Sequence, residues 1–350
     1  MRRIRIGLIG TGRFGRLHLK VLRQLPNVDV AALSDVNEDA LRHTASEYGV
    51  DPGDCYLDPE ELIRRDDLDA VDIVSDEASH GPLATAALRA GKHVIVEKPL
   101  SVTFAEALEI EAAQRASGKQ VLVGHISRFS QPYISIKRSI DEGRLGQLAA
   151  IRTKRNFSKE WFRGFGNRTH PVYESGVHEI DLILWYARSR CVQVSAFERS
   201  MSGYAYPDLF SAILTFENGI VATVDSSWLV PGGAPQNLVE TLELDGTIDA
   251  HIEVVGEHGT AQYQLAHPGL SVWTGQGVRH PETTLWPTGH DGVGGAIRAE
   301  LEHFVRVIAE NTASAVMPLS EAVHVMEIAE AIQRSAATGC TLRLGGSNNR

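Results

Sequence analysis

The segment Gly10-Thr11-Gly12-Arg13-Phe14-Gly15 constrains this chain more than any other. It follows a short apolar run, Ile4-Arg5-Ile6-Gly7-Leu8-Ile9. After it, Phe14, Leu17, Val21, Leu22 and Leu25 recur at helical spacing. A strand, a glycine-rich turn and a helix in that order open a βαβ unit able to bind a dinucleotide. Gly10 allows the tight turn, Gly12 lets the backbone approach a pyrophosphate, and Gly15 lets helix and strand pack closely. The phosphates would rest on the helix N-terminus, where N–H groups and the dipole favour negative charge. Thr11, Arg13 and Phe14 complete the candidate loop, with Arg13 either on phosphate or solvated at the helix start.

The alternation continues for about a third of the chain. Val28 to Leu33 reads as a strand ending at Ser34-Asp35, and Asn37 to Tyr48 as a helix with Asn37 as N-cap. Ala70 to Val74 is a strand, and His80 to Ala90 a helix stopped by Gly91. His93 to Val96, Thr103 to Ser117 and Gln120 to Val123 follow as strand, helix and strand. Residues 1–124 are thus expected to form a Rossmann domain, a doubly wound parallel sheet. From residue 125 onward the pattern changes. After a helix at Pro132 to Glu142 come strands at Leu148–Asn156, Val192–Arg199, Phe210–Phe216, Ile220–Trp228 and Leu238–Leu244. Glu217-Asn218-Gly219 joins two of them as an Asn-Gly hairpin. Helices are expected at Tyr173–Ala187, Gly294–Asn311 and Ser320–Ala337. Residues 125–350 therefore read as an α+β domain with an open, mostly antiparallel sheet.

A formal net charge of -10 and the lack of a basic run make nucleic acid and anionic membrane surfaces poor partners. The N-terminal apolar run is cut by Gly7 and Gly10 and is too short for a signal sequence. No stretch has the length of a transmembrane helix. Cys55, Cys191 and Cys340 form no metal-ligand or CxxC spacing, which fits a reduced compartment. A cytoplasmic protein without a metal site is expected, His290-Asp291 having no cluster around it.

Asp35 lies 20 residues after Gly15, at the end of the second strand. A carboxylate there accepts hydrogen bonds from ribose hydroxyls and repels a 2′-phosphate, favouring NAD over NADP; the plainer reading is a cap for the next helix. Glu97-Lys98-Pro99 ends the apolar run from His93. Glu174, His178 and Asp181 are spaced i, i+4, i+7, one face of a helix. A lysine beyond a cofactor strand, together with a histidine and carboxylate stripe, points to hydride transfer at a hydroxyl-bearing carbon. The bland alternatives are a solvated strand-end lysine and a helix face with a satisfied histidine.

The chain resembles the Gfo/Idh/MocA oxidoreductases. The resemblance is carried by Gly10 to His18, by the stretch from Ala86 to Leu100 that contains Glu97-Lys98-Pro99, and by Gly176-Val177-His178-Glu179-Ile180-Asp181 followed by Trp185. Ser227-Trp228 and the hairpin before it are similar to the family's C-terminal sheet. The resemblance implies an active site to which both domains contribute. It also implies oxidation of a secondary hydroxyl of a sugar or cyclitol such as inositol, or reduction of the ketone, and assembly as a homodimer or homotetramer. Lys98 would contact the reacting hydroxyl and the nicotinamide ribose, with Glu97 beside it and a Lys98–Pro99 bond that is a candidate for cis. His178 would be the general base, its ordinary pKa of about 6.5 suiting proton exchange near neutrality. Two departures stand out: Glu174 where the family usually has aspartate, and Ser75-Asp76 where many members have Thr-Pro or Asn-Pro. Ser75 would keep a hydroxyl toward the cofactor, Asp76 either binds or caps, and His80 either lies near the cofactor or is structural. Arg128 is a candidate for substrate binding or an interdomain salt bridge, and Trp161, in an aromatic loop running to His170, for stacking on a sugar face or ordinary packing. The competing functions are an NAD-dependent glycosidase working by transient oxidation and elimination, and a non-catalytic dinucleotide sensor; the presence of Lys98 and His178 argues against the sensor.

Overall fold

A computed structural model describes residues 3–237, 245–266, 270–274 and 277–345. The chain divides into two compact units, one comprising residues up to Phe129 with Leu285–Met326, the other the described parts of Ser130–Glu240, Leu244–Thr284 and Glu327–Arg350. A single cut near residue 124 therefore separates the two sheets but not the late helices.

In the first unit, β1 (Ile4–Ile9), α1 (Arg13–Leu22), β2 (Val28–Ser34), α2 (Glu38–Tyr48), β3 (Cys55–Tyr56), α3 (Pro59–Ile63), β4 (Ala70–Ile73), α4 (Glu77–Arg89), β5 (His93–Glu97), α5 (Phe104–Ser117) and β6 (Val121–Gly124) alternate along the chain. The six strands are parallel in the order β3-β2-β1-β4-β5-β6. Helices cover a parallel sheet on both faces, which is why β4, β5 and β6 are buried throughout. The strand order reverses between β1 and β4, and ligands of such sheets bind beyond the carboxyl ends at that point. Asn37 caps α2 as expected, its side chain accepting from the Ala40 amide, and Thr103 caps α5 in the same way. Two expectations shift. α4 begins at Glu77, before His80. β3 and α3 were not anticipated, being only two and five residues long, below the length at which periodicity is readable.

The second unit opens with α6 (Gln131–Asp141), β7 (Leu148–Ser158) and a short α7 (Phe162–Phe165). A π-helical turn, Val172–Gly176, leads into α8 (Val177–Ala187). Then come β8 (Cys191–Arg199), β9 (Leu209–Phe216), β10 (Val221–Val230), β11 (Ile248–Gly256), β12 (Thr260–Gln264) and a small hairpin of β13 (Val272–Thr274) with β14 (Gly277–Arg279). The chain next contributes the β15 (Thr288–Gly289) and β16 (Gly292–Val293) hairpin and α9 (Gly295–Glu310), which packs on α1 within the first unit. α10 (Leu319–Thr338) and β17 (Leu342–Arg343) end the described chain. The sheet of the second unit runs β12-β11-β7-β10-β9-β8-β17, antiparallel except between β7 and β10. The β9–β10 hairpin turns at Glu217-Asn218-Gly219 as expected, with Gly219 at φ 87°. The strand expected at Leu238–Leu244 lies outside the described residues. β11 was missed although Ile248, Ala250, Ile252 and Val254 alternate inward at the period of a strand. One face of this sheet carries an aromatic core of Phe157, Phe162 and Trp228, with the Phe157 and Trp228 rings stacked 4.6 Å apart.

Candidate active site

The first unit builds the dinucleotide loop as the glycine pattern predicts. Gly10 takes φ 98°, and a Cβ there would lie 2.3 Å from the Val74 carbonyl oxygen. A Cβ on Gly15 would lie 2.0 Å from the Gly10 carbonyl oxygen. Both sites exclude any side chain. Gly12 is the opposite case: it is exposed, caps α1 without a side-chain bond, and a Cβ there meets nothing within 4 Å. The first turn of α1 carries no acidic residue. Open space over an uncapped ten-residue helix start fits an incoming pyrophosphate. Phe14 packs edge-on against Trp286 at 5.9 Å, so its ring anchors the loop, while Arg13 is exposed.

Asp35 sits at the end of β2 and reaches back to this loop. Its Oδ2 accepts from the Thr11 amide at 2.7 Å and the Thr11 hydroxyl at 2.8 Å, and its Oδ1 accepts from the Asn37 amide at 2.8 Å. The carboxylate is thus already oriented by the loop, and its remaining lone pairs suit a ribose hydroxyl. Ser75, just past β4, is half-buried, with its Oγ 2.6 Å from the Ser79 Oγ. Asp76 occupies the N-cap position of α4 but its side chain makes no capping bond. His80 is buried, its Nδ1 2.7 Å from the Pro99 carbonyl oxygen and its Nε2 3.2 Å from that of Ser75. Both ring nitrogens thereby face backbone carbonyls of the Ser75 and Pro99 loops.

β5 delivers Lys98. From Lys92 to Ser101 only Lys98 is not buried, so the strand carries its one accessible side chain to the sheet's carboxyl edge. The Lys98–Pro99 bond is cis. Glu97 is buried beneath it, its Oε2 accepting from the Lys98 amide at 3.1 Å. A Cβ on Gly124, the β6 residue paired with Glu97, would come within 2.3 Å of Glu97 Oε1. Arg128 is a correction to the sequence reading. Its guanidinium is buried, donates to the Val316 carbonyl oxygen at 2.7 Å and pairs with Glu321 at 2.7 Å. The salt bridge it was expected to make between domains is made within the first unit instead.

In the second unit, Tyr173 to Ala187 was expected to be one α-helix. The structure opens it as a π-turn in which the Val177 amide donates to the Val172 carbonyl. Two packing contacts accompany the wider turn. Phe210 fills the place of a Gly176 side chain, its Cζ 2.7 Å from where a Cβ would be, and Ser175 is drawn to Ser226 at 2.6 Å. Wide turns of this kind occur often at functional sites. From Thr169 to Leu184 only Glu174 and His178 are not buried, so they form the accessible polar edge of an otherwise enclosed segment. Asp181 is 1% exposed, which removes it from that edge. Glu179 faces the other way and forms a buried ion pair with Arg155 of β7, Oε1 to Nε 2.5 Å. Trp161 packs on Phe157 at 5.9 Å and donates from Nε1 to the Asp245 carbonyl, so much of its indole is spent on the aromatic core.

Sequence reasoning missed one feature of the first unit. His18 and Asp72 are both fully buried and meet at 2.9 Å. The signal was present: a histidine in the apolar stripe of α1 and an aspartate inside an apolar strand.

A parallel six-stranded sheet with an open glycine loop at its switch point and an accessible lysine just past β5, at the same carboxyl edge, fits a dinucleotide-dependent oxidoreductase. Residues 4–125 match the oxidoreductase family with an NAD-binding Rossmann fold, and residues 133–262 match the GFO/IDH/MocA C-terminal domain. The chain is 31% identical over 272 residues to inositol 2-dehydrogenase 1 of Saccharopolyspora erythraea, covering 77% of this chain and 76% of that protein. It is 27% identical over 282 residues to D-apiose dehydrogenase of Paraburkholderia graminis, covering 77% and 75%. Its fold is similar to that of myo-inositol 2-dehydrogenase from Lactobacillus plantarum, with TM-score 0.83, 20% identity, and 98% and 99% of the two chains covered. The chain belongs to the Gfo/Idh/MocA family of NAD-binding oxidoreductases. Among the described residues no helix is long and apolar enough to cross a membrane.

Proposed function

We propose that this enzyme oxidises a secondary hydroxyl of a cyclitol or a cyclic sugar to the ketone, or runs the reverse, with NAD as the hydride partner. The observation that carries this reading is the isolation of Lys98 as the one accessible side chain of its strand segment, at the carboxyl edge of a sheet whose glycine loop fits a pyrophosphate. Bound NAD supplies the hydride acceptor. As carbon loses hydride, its oxygen must lose a proton, and an ammonium near that oxygen stabilises the developing negative charge. Lys98 is assigned that role. His178 is assigned the role of base, and Glu174 that of a hydrogen-bond acceptor for a neighbouring hydroxyl. The relatives named for inositol and apiose support a polyhydroxylated ring as substrate. A cytoplasmic homodimer or homotetramer completes the proposal.

The test is NADH formation by the purified protein with NAD and a panel of cyclitols and sugars that includes myo-inositol. Lys98→Ala should lose at least ~10²-fold in kcat on the best substrate, the usual scale for removing a positioned acid–base or charge-stabilising group. Net NADH from no member of the panel, with NAD binding intact, would refute the dehydrogenase reading.

A further inference from the structure

His18, Asp72 and Glu97 form a buried cluster on three elements of the first unit: α1, β4 and β5. The His18 ring is fully enclosed. Its Nδ1 lies 2.9 Å from Asp72 Oδ2 and its Nε2 3.3 Å from Glu97 Oε1. Phe14 of the glycine loop closes one side of the ring at 5.3 Å. Two carboxylates thus flank one imidazole with no water-exposed edge. Nδ1 meets Asp72 at hydrogen-bond distance, whereas Nε2 faces Glu97 Oε1 at ion-pair distance without a hydrogen bond, so what joins the ring to Glu97 is charge attraction, which only the imidazolium supplies. Burial alone would push the histidine toward neutrality, but the two carboxylates outweigh it and raise its pKa to about 10.

We propose that His18 is a positioning residue for Lys98: clamped between Asp72 and Glu97, it holds the Glu97 carboxylate against the Lys98 amide and so fixes how the Lys98 side chain leaves the end of β5. Three contacts make the chain of effect. His18 approaches Oε1 of Glu97, Oε2 of the same carboxylate accepts from the Lys98 amide, and Gly124 leaves that carboxylate its space. Because His18 stands one turn beyond the glycine loop, the same ring ties the phosphate-binding helix to the strand that delivers the lysine. Without His18, two buried carboxylates would share one site. Their mutual repulsion would push the Glu97 carboxylate away from its place against the Lys98 amide.

This inference rests on the assignment of Lys98 above, so the experiment separates the two. In the wild-type protein, ¹⁵N NMR of the His18 ring should show both nitrogens protonated at neutral pH; an unprotonated Nε2 would overturn the proposal whatever the enzyme turns over. His18→Leu with Asp72→Leu replaces both partners by apolar groups inside an apolar layer, which should leave a folded protein. In that double variant kcat should fall at least ~10-fold while the KM for NAD changes less than ~3-fold, a kcat loss without a binding loss. Wild-type kcat in the folded double variant, with Lys98→Ala inactive, would overturn the role of His18 alone. Lys98→Ala as active as wild type would instead overturn the lysine assignment, and with it the functional half of this inference.

Discussion

The Arg155–Glu179 pair makes a demanding test of how α8 is held, because both side chains are almost completely buried. Glu179 follows His178 directly, so whatever anchors it also anchors the accessible edge that bears Glu174 and His178. Glu179→Gln removes one charge and keeps the shape. At an effective dielectric near 20 and ~4 Å between charge centres, the lost attraction is about 4 kcal/mol. That agrees with the ~3–5 kcal/mol seen when one member of a buried pair is removed and the other stays charged. Arg155 cannot escape by deprotonating, because a guanidinium is too basic to lose its proton even when buried. For a unit of this size the cost corresponds to roughly 10 °C in Tm.

The pair as a whole should contribute much less than that. Burial pushes the Glu179 carboxyl above its ordinary range even though Arg155 pulls it down. The attraction therefore does not fully repay the desolvation of the acid. Arg155→Met combined with Glu179→Leu should consequently lie within ~1–2 kcal/mol of wild type while each single variant is strongly destabilised. Calorimetry and urea titration would read the cycle. Tryptophan fluorescence follows mainly the second unit, where Trp161, Trp185, Trp228 and Trp273 lie, against Trp286 in the first. A loss below ~1 kcal/mol for Glu179→Gln would refute the claim that this charge is uncompensated when its partner goes.

Two further predictions concern the first unit. Asp35→Ser removes the negative charge beside the ribose position but leaves a hydroxyl to meet Thr11, so the preference for NAD over NADP should shrink about 10–100-fold in kcat/KM ratios. An unchanged ratio would mean that Asp35 serves only the loop contacts seen at Thr11 and Asn37. His93 accepts from the Gln120 amide at 3.0 Å, and burial with help from Lys119 lowers its pKa from 6.5 to about 4. A base whose folded pKa is depressed costs the fold nothing above about pH 6.5 and destabilises it progressively as pH falls toward 4. His93→Gln keeps an acceptor for the amide and cannot titrate, so its stability should fall less than that of wild type over this interval; parallel curves in urea titrations would exclude His93 as a source of acid lability.

The parts of this molecule that were legible in the sequence are those in which one local rule acts without competition. The glycine loop is such a case, because the space at Gly10 and Gly15 excludes every other residue and the pattern is therefore rigid. Asn37 and the Asn-Gly hairpin were readable for the same reason: each satisfies its own neighbours. The misreadings arise where a distant contact decides. Helical spacing alone makes Glu174, His178 and Asp181 one face, but Phe210 and Ser226, far along the chain, pack against a wider turn between Glu174 and His178, and Asp181 is buried. Arg128 reads equally as a substrate ligand or an interdomain salt bridge, and only Val316 and Glu321, nearly two hundred residues later, show that its salt bridge lies within the first unit. His18 is the most instructive. Its place in an apolar helical stripe makes it look like a packing residue, and only the register that sets Asp72 on β4 and Glu97 at the end of β5 reveals two carboxylates on either side of it. A buried polar residue in an apolar stripe therefore asks, at the level of sequence, which other strand carries its partner. Here the answer was already visible as the single aspartate within Ala70-Val71-Asp72-Ile73, and the Glu97 carboxylate that faces the same ring accepts from the amide of the lysine on which the proposed chemistry depends.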